Sequence, residues 1–287
     1  MSAQTLARAK KRDLPDLLAQ LDLGKHAFLL VAALLTYAPF WIMFTVSFKD
    51  QAQFFQSVWT FELPLHGENY VRSASVVGKY ILNSIFVTAA TVIGVVVCSS
   101  LAAFAFARYR FPGKQALFWL VISLLMVPSV LTMVPAFVLV KQMGLLNSHW
   151  GLILPSIASN QVFAIFILRG FMASLPEELF ESARIDGASI WHCYFNIALP
   201  LSRPGISVVV ITTLLTSWND FIWPLLIIND DNLRTVPIGL AFFQTQFITD
   251  YGPLMAGYVI SSLPLLIVFI LTSREFIRGL TAGAVKF

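Results

Sequence analysis

Charged residues are scarce in this chain. Asp, Glu, Lys and Arg make up 12% of its 287 residues, whereas hydrophobic residues make up 57%. A soluble domain of this size carries about a quarter charged residues, so the composition excludes a sizeable water-soluble domain. The formal net charge is only +4. No basic stretch interleaved with aromatic residues lies outside the apolar runs, which argues against nucleic-acid binding.

The chain also lacks the residue patterns of common cofactor sites. Cys98 lies within an apolar run and Cys193 in a polar loop, so we expect no disulfide. The four histidines lie in separate segments without metal-ligand spacing, and no G-x-x-x-x-G-K-S/T phosphate loop occurs. We therefore expect neither enzyme activity nor a cofactor in this chain, and any energy from ATP must come from another polypeptide.

Long apolar runs dominate the sequence. Six are visible, at about 26–48, 80–107, 116–140, 150–172, 204–228 and 253–273. Each is long enough to cross a bilayer core as a helix, and none shows the alternating pattern of barrel strands. The sequence therefore predicts an all-α polytopic membrane protein with six transmembrane helices. Pro128 and Pro135 interrupt the third run, where a kink serves either helix packing or a pathway.

Lys and Arg are distributed unequally about these runs. Fourteen of the 19 lie on one side of the predicted membrane and five on the other, and the richer side is normally cytoplasmic. We predict a transmembrane domain at 26–277 between cytoplasmic tails at 1–25 and 278–287, so that both termini are cytoplasmic.

A polar insert at about 174–200 interrupts the apolar runs on the cytoplasmic side. The pattern predicts two short helices, at 175–186 and 188–198. Gly187 suits a left-handed cap between them, and Pro200 is expected to end the second helix.

The first helix of the insert carries two further signals. Ser174 and Glu177 fit a capping box. Ala183 and Gly187, four residues apart, share one helix face and leave it shallow. Such a surface either receives a partner protein or packs against the ends of the chain's own spans, and the residues alone leave both interpretations open.

The spacing of the insert resembles the EAA loop of ABC importer permeases. That family's pattern is E-A-A, three residues, G, nine residues and I-x-L-P, and this chain departs from it only at Ser182, one small residue for another. Other segments resemble the G-type permease subunit of maltose, glycerol-phosphate and oligosaccharide importers: Asn83–Ser84, AFARYRFPGK at 105–114, SWNDFIWPLL at 217–226 and GLTAGAVKF at 279–287.

This resemblance implies that the EAA loop docks in a cleft of a cytoplasmic ATPase subunit and carries closure of the ATPase dimer into the membrane. The implied coupling residues are Glu181, Ala183, Asp186, Gly187, Ile197, Leu199 and Pro200. The tail at 281–287 would lie near the ATPase dimer.

The resemblance also implies a set of partners. They are a second, different permease, an ATPase dimer that binds ATP and Mg²⁺, an external solute-binding protein, and a carbohydrate or related polyol as solute. The implied location is the cytoplasmic (inner) membrane of a bacterium or archaeon.

Several polar and aromatic residues are candidates for a translocation path. Asp220 lies within or at the edge of the fifth span, where carboxylates usually face a cavity or a partner. Trp218, Asn219 and Trp223 lie within one helical turn of it, and aromatic faces and amides can contact sugar rings. Asn160 and Gln161 of the fourth span are the next candidates. The alternative is that these residues anchor the spans near the interface.

Other functions remain open at this level. An ion-gradient-driven secondary transporter would show inverted repeats with matching broken helices, and no repeat is apparent. A structural membrane subunit without a pathway would tolerate alanine at Asp220 and Asn219. An ion channel would need a filter segment, and none stands out.

Overall fold

The computed structural model describes residues 23–246 and 250–284, and every regular element within them is helical. The first six helices are α1 (Leu23–Val46), α2 (Gln51–Gln56), α3 (Glu68–Arg108), α4 (Lys114–Ser123), α5 (Ser129–Gln142) and α6 (Trp150–Ala173). The remaining six are α7 (Glu178–Ile185), α8 (Ile190–Leu201), α9 (Arg203–Trp218), α10 (Ile222–Ile227), α11 (Val236–Gln246) and α12 (Tyr251–Ala284). The predicted all-α fold is confirmed.

Length and composition qualify four helical segments as membrane spans. They are Gly24–Val46, Glu68–Arg108, Trp150–Ala173 and Tyr251–Arg274. Two bent pairs also qualify: Lys114–Met126 with Ser129–Gln142, bent by 100°, and Ile190–Leu201 with Arg203–Trp218, bent by 73°. The predicted count of six is reached when each bent pair is one span.

The third predicted span is broken at Pro128. This residue is extended, with ψ of 129°, and stands between a 3₁₀ turn at Leu124–Met126 and the start of α5. Proline has no backbone N–H to continue the preceding helix. Pro135 lies inside α5, which continues past it, so Pro128 alone divides the predicted run at 116–140.

Helix α3 begins twelve residues before the predicted start of the second span, at Glu68. Its polar first turns are fixed by contacts with the loop after α1. The Asn69 side chain donates hydrogen bonds to the backbone oxygens of Ser47 (3.1 Å) and Lys49 (2.9 Å). These contacts join segments about 20 residues apart, so hydropathy alone placed the start of this element at about residue 80.

The fifth predicted span, at 204–228, is shorter than expected. Helix α9 ends at Trp218, and α10 begins only at Ile222. Both the backbone N–H and the side-chain amide of Asn219 donate to the Leu215 oxygen, at 3.2 and 2.8 Å. A side chain that binds a helix carbonyl in this way competes with continuation of the helix. Asp220 therefore lies in a break between helices.

The two predicted tails fall largely at the edges of the described residues. Residues 1–22 of the predicted tail at 1–25 lie outside them, as do residues 285–287 of the predicted tail at 278–287. Helix α12 runs through the described part of the C-terminal tail.

The spans are organised around contacts between α3 and α6. Gly94 of α3 faces Ile157 of α6, and a Cβ at Gly94 would overlap the isoleucine side chain. The missing side chain therefore lets the helices approach closely. The main buried cluster continues from this contact toward the insert through Val95, Phe104, Ala164, Leu168, Met172, Phe180, Cys193, Tyr194, Ala198 and Val209.

Candidate coupling surface and translocation path

Gly187 forms the bend between α7 and α8. Its φ is +78°, a left-handed conformation that glycine adopts without a steric penalty. The Ala188 N–H donates to the Ala183 oxygen at 2.8 Å, and the Gly187 N–H donates to the Arg184 oxygen at 3.1 Å. These are the two hydrogen bonds of a Schellman cap. The predicted left-handed cap is confirmed, and it fixes the angle between two short helices.

The inner side of the insert is built into the core of the spans. Phe180, Tyr194 and Ala198 are each less than 5% exposed. The Tyr194 hydroxyl lies 2.7 Å from the Ser100 hydroxyl of α3, in hydrogen-bond contact. Apolar packing and a buried hydrogen bond therefore join α8 to the longest helix of the chain, so a displacement of the insert must displace α3 or break this contact.

Glu177 links α7 to α3 through two arginines. One carboxylate oxygen accepts from Arg108 at 2.7 Å, and the other accepts from Arg184 at 2.6 Å. Partial burial raises the pKa of Glu177, but the hydrogen bonds and charges of Arg184 and Arg108 together outweigh burial and hold the pKa below its ordinary value. Sequence reasoning missed this link because Arg108 precedes Glu177 by 69 residues.

The predicted capping box at Ser174 and Glu177 is wrong. The Ser174 hydroxyl donates to the Phe171 oxygen at 2.8 Å, at the end of α6, and no side chain caps the start of α7. The Glu177 carboxylate binds the two arginines instead. Arg108 further donates to the Met172 and Leu175 oxygens, at 2.6 and 2.7 Å, and so satisfies carbonyls near the end of α6.

The outer side of the insert is apolar and exposed. Ile185 is 86% exposed, and Ile190, Trp191 and Phe195 are each more than half exposed. The Trp191 and Phe195 rings are stacked, with centroids 6.1 Å apart. The inner side of the insert thus packs against the chain's own spans, whereas the described residues leave its outer side uncovered. That a partner protein docks on the outer side stays a prediction.

The seven predicted coupling residues divide between these two sides. Three are exposed near the bend: Glu181, Asp186 and Gly187. Four are half-buried: Ala183, Ile197, Leu199 and Pro200. Ala183, Ile197 and Leu199 pack against the main buried cluster, whereas Pro200 lies in the last turn of α8.

Asp220 and Trp223 lie together at the break between α9 and α10. The Trp223 backbone N–H donates to the Asp220 carboxylate at 3.3 Å. The Trp223 indole N–H donates to the Gly151 oxygen at 3.1 Å. Pro155 stands four residues after Gly151 and lacks the N–H that would normally bind that oxygen. The indole therefore occupies the hydrogen-bonding position left by the proline, which fixes the orientation of the ring.

The other four candidate path residues each lie in different surroundings. Asn160 donates to the Ser156 oxygen at 2.8 Å and accepts from Thr216 of α9 at 3.2 Å. The Gln161 amide nitrogen is buried and has no hydrogen-bond partner among the described residues. Asn219 is exposed at the end of α9. Trp218 is 6% exposed and packs in a cluster with Val77, Tyr80, Val236 and Leu240. The structure therefore brings Asp220 and Trp223 together and places Trp218 in a packing cluster.

Comparison with known proteins connects this geometry to a family. A family model described as "Binding-protein-dependent transport system inner membrane component" matches residues 94–279. The probable ABC transporter permease protein YurM of Bacillus subtilis is 35% identical over 253 residues, which are 88% of this chain and 84% of that protein. The arabinooligosaccharides transport system permease protein AraQ of Halalkalibacterium halodurans is 38% identical over 204 residues, or 71% and 72% of the two chains.

A solved structure supports the same fold. The chain is similar to a chain of a bacterial ABC transporter involved in the import of the acidic polysaccharide alginate, with a TM-score of 0.77 and 19% sequence identity. The likeness covers 90% of this chain and 97% of that chain. The long helices, the bent spans and the insert therefore belong to a fold already seen in a transporter.

Proposed function

Because the chain belongs to the family of binding-protein-dependent transport system inner membrane components, we propose that it is the permease subunit that moves a carbohydrate or related polyol through such an importer. The chain is thus a membrane transport subunit and not an enzyme, and the alternative of an ion-gradient-driven transporter has no support from its relatives. The observation that carries the proposal is the two-sided insert, which is fixed to the spans by its inner side and presents Glu181, Asp186 and Gly187 outward.

The outer side of the insert is proposed to bind the ATPase. Stacked aromatic rings beside a bend with no overhanging side chain suit insertion into a cleft of a partner. ATP and Mg²⁺ are then bound by the ATPase dimer, and closure of that dimer pushes on the bend. Through Tyr194 and the pair Arg108–Glu177, the push reaches α3.

The proposed assembly has two further partners. A second, different permease and the surrounding lipid would together cover the apolar surfaces of α1, α4 and α5. Residues there such as Leu35, Leu120 and Val134 are more than 60% exposed. An external binding protein would deliver the solute from the side opposite the insert. With the Lys- and Arg-rich side facing the cytoplasm, both termini and the insert are cytoplasmic.

The carbohydrate assignment is supported by relatives and by residue chemistry. AraQ, a 38% identical relative, is named for arabinooligosaccharide transport. Asp220 and Trp223 place a carboxylate and an oriented indole together at a helix break. Carboxylates accept hydrogen bonds from hydroxyls, and an indole face packs on apolar C–H groups, so the pair suits a sugar ring.

The substitution Gly187→Asp tests the coupling role. Among the described residues, no atom lies within 4 Å of a Cβ added at position 187, so the new carboxylate would project from the docking surface without disturbing the spans. We expect the complex with the partner subunits to assemble and its solute-stimulated ATPase activity to fall about tenfold or more, the equivalent of about 1.4 kcal/mol.

Two matched controls separate charge from backbone strain. Gly187→Asn imposes the same left-handed backbone without a charge and should retain more activity. Gly144 has φ of +70° and is equally open, but it lies in the loop between α5 and α6, so Gly144→Asp should retain stimulation. An assembled Gly187→Asp complex with wild-type stimulation would overturn the coupling role.

A further inference from the structure

Three irregular stretches of helix meet at one cavity of about 360 Å³. Ser129 follows the break at Pro128, Pro155 lies inside α6, and Asp220 lies between α9 and α10. In a membrane, irregular backbone is tolerated only where protein buries it or where it lines a water-filled cavity. The Trp223 indole satisfies the carbonyl freed by Pro155, but Ser129 is exposed and Asp220 is half-buried. The breaks at Pro128 and Asp220 therefore border an open space that water or a polar molecule can enter.

The lining of the cavity is mixed in chemistry. Ser129, Thr132, Ser156 and Ser159 contribute hydroxyl residues, and Val130, Met133, Ala136, Ile222 and Trp223 contribute apolar or aromatic ones. The Thr132 and Ser159 hydroxyls each donate to a carbonyl of their own helix, at 2.9 and 3.2 Å, which leaves their oxygens able to accept. This combination suits a molecule with hydroxyls on its edge and C–H groups on its face.

Asp220 is the acceptor with the greatest remaining capacity. Within the described residues, its carboxylate accepts one long hydrogen bond, 3.3 Å, from the Trp223 N–H to one oxygen. A carboxylate can accept about four hydrogen bonds, and a half-buried one lacks full hydration. Solute hydroxyls would therefore gain strong charge-assisted bonds here.

Charge decides which sugars the cavity accepts. Among the described residues that line it, Asp220 is charged, and no Lys, Arg or His is present. A uronate or a phosphorylated sugar would bring a second negative charge next to Asp220 with no cation to balance it, which is unfavourable where water is limited. A neutral ring meets no such repulsion.

We propose that this cavity is a solute subsite for one ring of a neutral sugar, oriented by Asp220 and stacked on Trp223. The volume is at the lower end of the range of small-molecule pockets, about 300–1,000 Å³, so it holds one ring of a longer chain and is too large for a bare metal cation. The inference rests on the proposed transport function and narrows its substrate class to neutral carbohydrates.

Thiol protection tests the subsite without the external binding protein, whose own selectivity would obscure the result. In the assembled importer, with exposed Cys98 replaced by alanine, Thr132→Cys places a thiol in the cavity. Val138→Cys, on the same helix but outside the cavity lining, is the matched control. The probes are arabinotriose, an alginate trisaccharide and glycerol 3-phosphate at equal concentration.

The neutral trisaccharide should slow alkylation of the Thr132→Cys thiol several-fold, the two anions should not, and the control thiol should be unaffected by any of them. Asp220→Asn should raise the concentration of neutral sugar needed for half-protection about tenfold, as expected for the loss of a charged hydrogen bond. Ser159→Ala should raise this half-protection concentration less. The Ser159→Ala variant also replaces Asp220→Asn as the test if the Asp220→Asn importer fails to assemble.

Equal or stronger protection by the anions would overturn the proposal, as would half-protection that is unchanged in Asp220→Asn and Ser159→Ala. Protection by Na⁺ alone would assign the cavity to an ion instead. Failure of the proposed function is distinct, because the wild-type importer would then show no solute-stimulated ATPase activity with its binding protein at all.

Discussion

The two regions that we propose to act in transport are held together in different ways. The insert of α7 and α8 is anchored by buried aromatic side chains, by the hydroxyl pair of Tyr194 and Ser100, and by the link from Glu177 to Arg108. The region around Asp220 has a three-residue break between α9 and the short helix α10 and a half-open cavity, with one long hydrogen bond to the carboxylate.

This difference matches two mechanical roles. A densely packed element moves as a unit, because interiors of protein density transmit displacement. The break between α9 and α10 lacks the continuous hydrogen bonds of a helix, so its backbone angles can change at a smaller energetic cost than those within a helix. The insert is thus suited to transmit a push, and the Asp220 region is suited to open and close around a solute.

Among the substitutions considered, Tyr194→Ala should reduce the stability of the protein most. It removes a ring that is 4% exposed within the main buried cluster, and loss of a buried aromatic side chain costs about 3–5 kcal/mol. Tyr194→Phe, the matched control, keeps the ring and loses only the hydrogen bond to Ser100, about 1 kcal/mol.

Thermal unfolding of the complex in detergent, together with its ATP-to-solute ratio, measures both effects. The alanine variant should unfold at a clearly lower temperature and hydrolyse more ATP per solute molecule transported. The phenylalanine variant should stay close to wild type in both measurements. Equal behaviour of the two variants would mean that the aromatic packing does not connect the insert to α3.

A smaller loss of stability is expected from a substitution at the contact between α3 and α6. Gly94→Ala forces Ile157 to move and should destabilise the protein by about 1–3 kcal/mol, the usual range for overpacking. Gly78→Ala lies in the same helix, and no atom of the described residues is within 4 Å of the added carbon. This substitution should be neutral or slightly stabilising, because alanine favours helix. If Gly94→Ala unfolds at the same temperature as Gly78→Ala, then the close contact between the helices is not needed for stability.

The smallest loss of stability should follow from Glu177→Gln. The carboxylate is about half exposed, so its ion pairs contribute less than about 1 kcal/mol. Because the two arginines lower the pKa of Glu177 in the folded protein, this contribution is present above the unfolded value near 4.5 and is lost as the pH falls through the folded value.

The stability difference between wild type and Glu177→Gln should therefore stay constant from pH 7 to about pH 5 and shrink under more acidic conditions. The free energy of unfolding of both proteins, measured from pH 7 to below about pH 5, tests this prediction. A difference that already vanishes near pH 6 would show that Glu177 is not held ionised by Arg108 and Arg184.

Much of the fold follows from the lengths of the apolar runs and from local turn chemistry. Runs of apolar residues predict the spans, and Gly187 predicts the bend because a left-handed position favours glycine. The breaks were harder to predict. Pro128 and Pro135 present the same local signal, and only Pro128 ends a helix, because tertiary packing decides whether a proline is accommodated.

The sequence predicted which residues belong to the candidate site, but it did not predict the hydrogen bonds that join them to other helices. Sequence spacing brought Asp220 and Trp223 together and also grouped Trp218 with them, although Trp218 packs in a buried cluster. No local pattern reveals that the Trp223 indole binds the Gly151 oxygen or that Arg108 binds Glu177, because both contacts join segments about 70 residues apart. Contacts of that range depend on how the helices pack, and no local sequence pattern reveals this packing.

Reversible cross-linking at the insert tests most directly whether it receives the push of the ATPase. Ile185 is 86% exposed beside the bend, so Ile185→Cys, in a chain with Cys98 replaced, offers a thiol to a cysteine in the proposed ATPase cleft. A disulfide should form, arrest solute uptake in proteoliposomes, and release it on reduction. If no cleft position cross-links, or if the cross-linked importer transports at the full rate, the insert does not couple ATP hydrolysis to the spans.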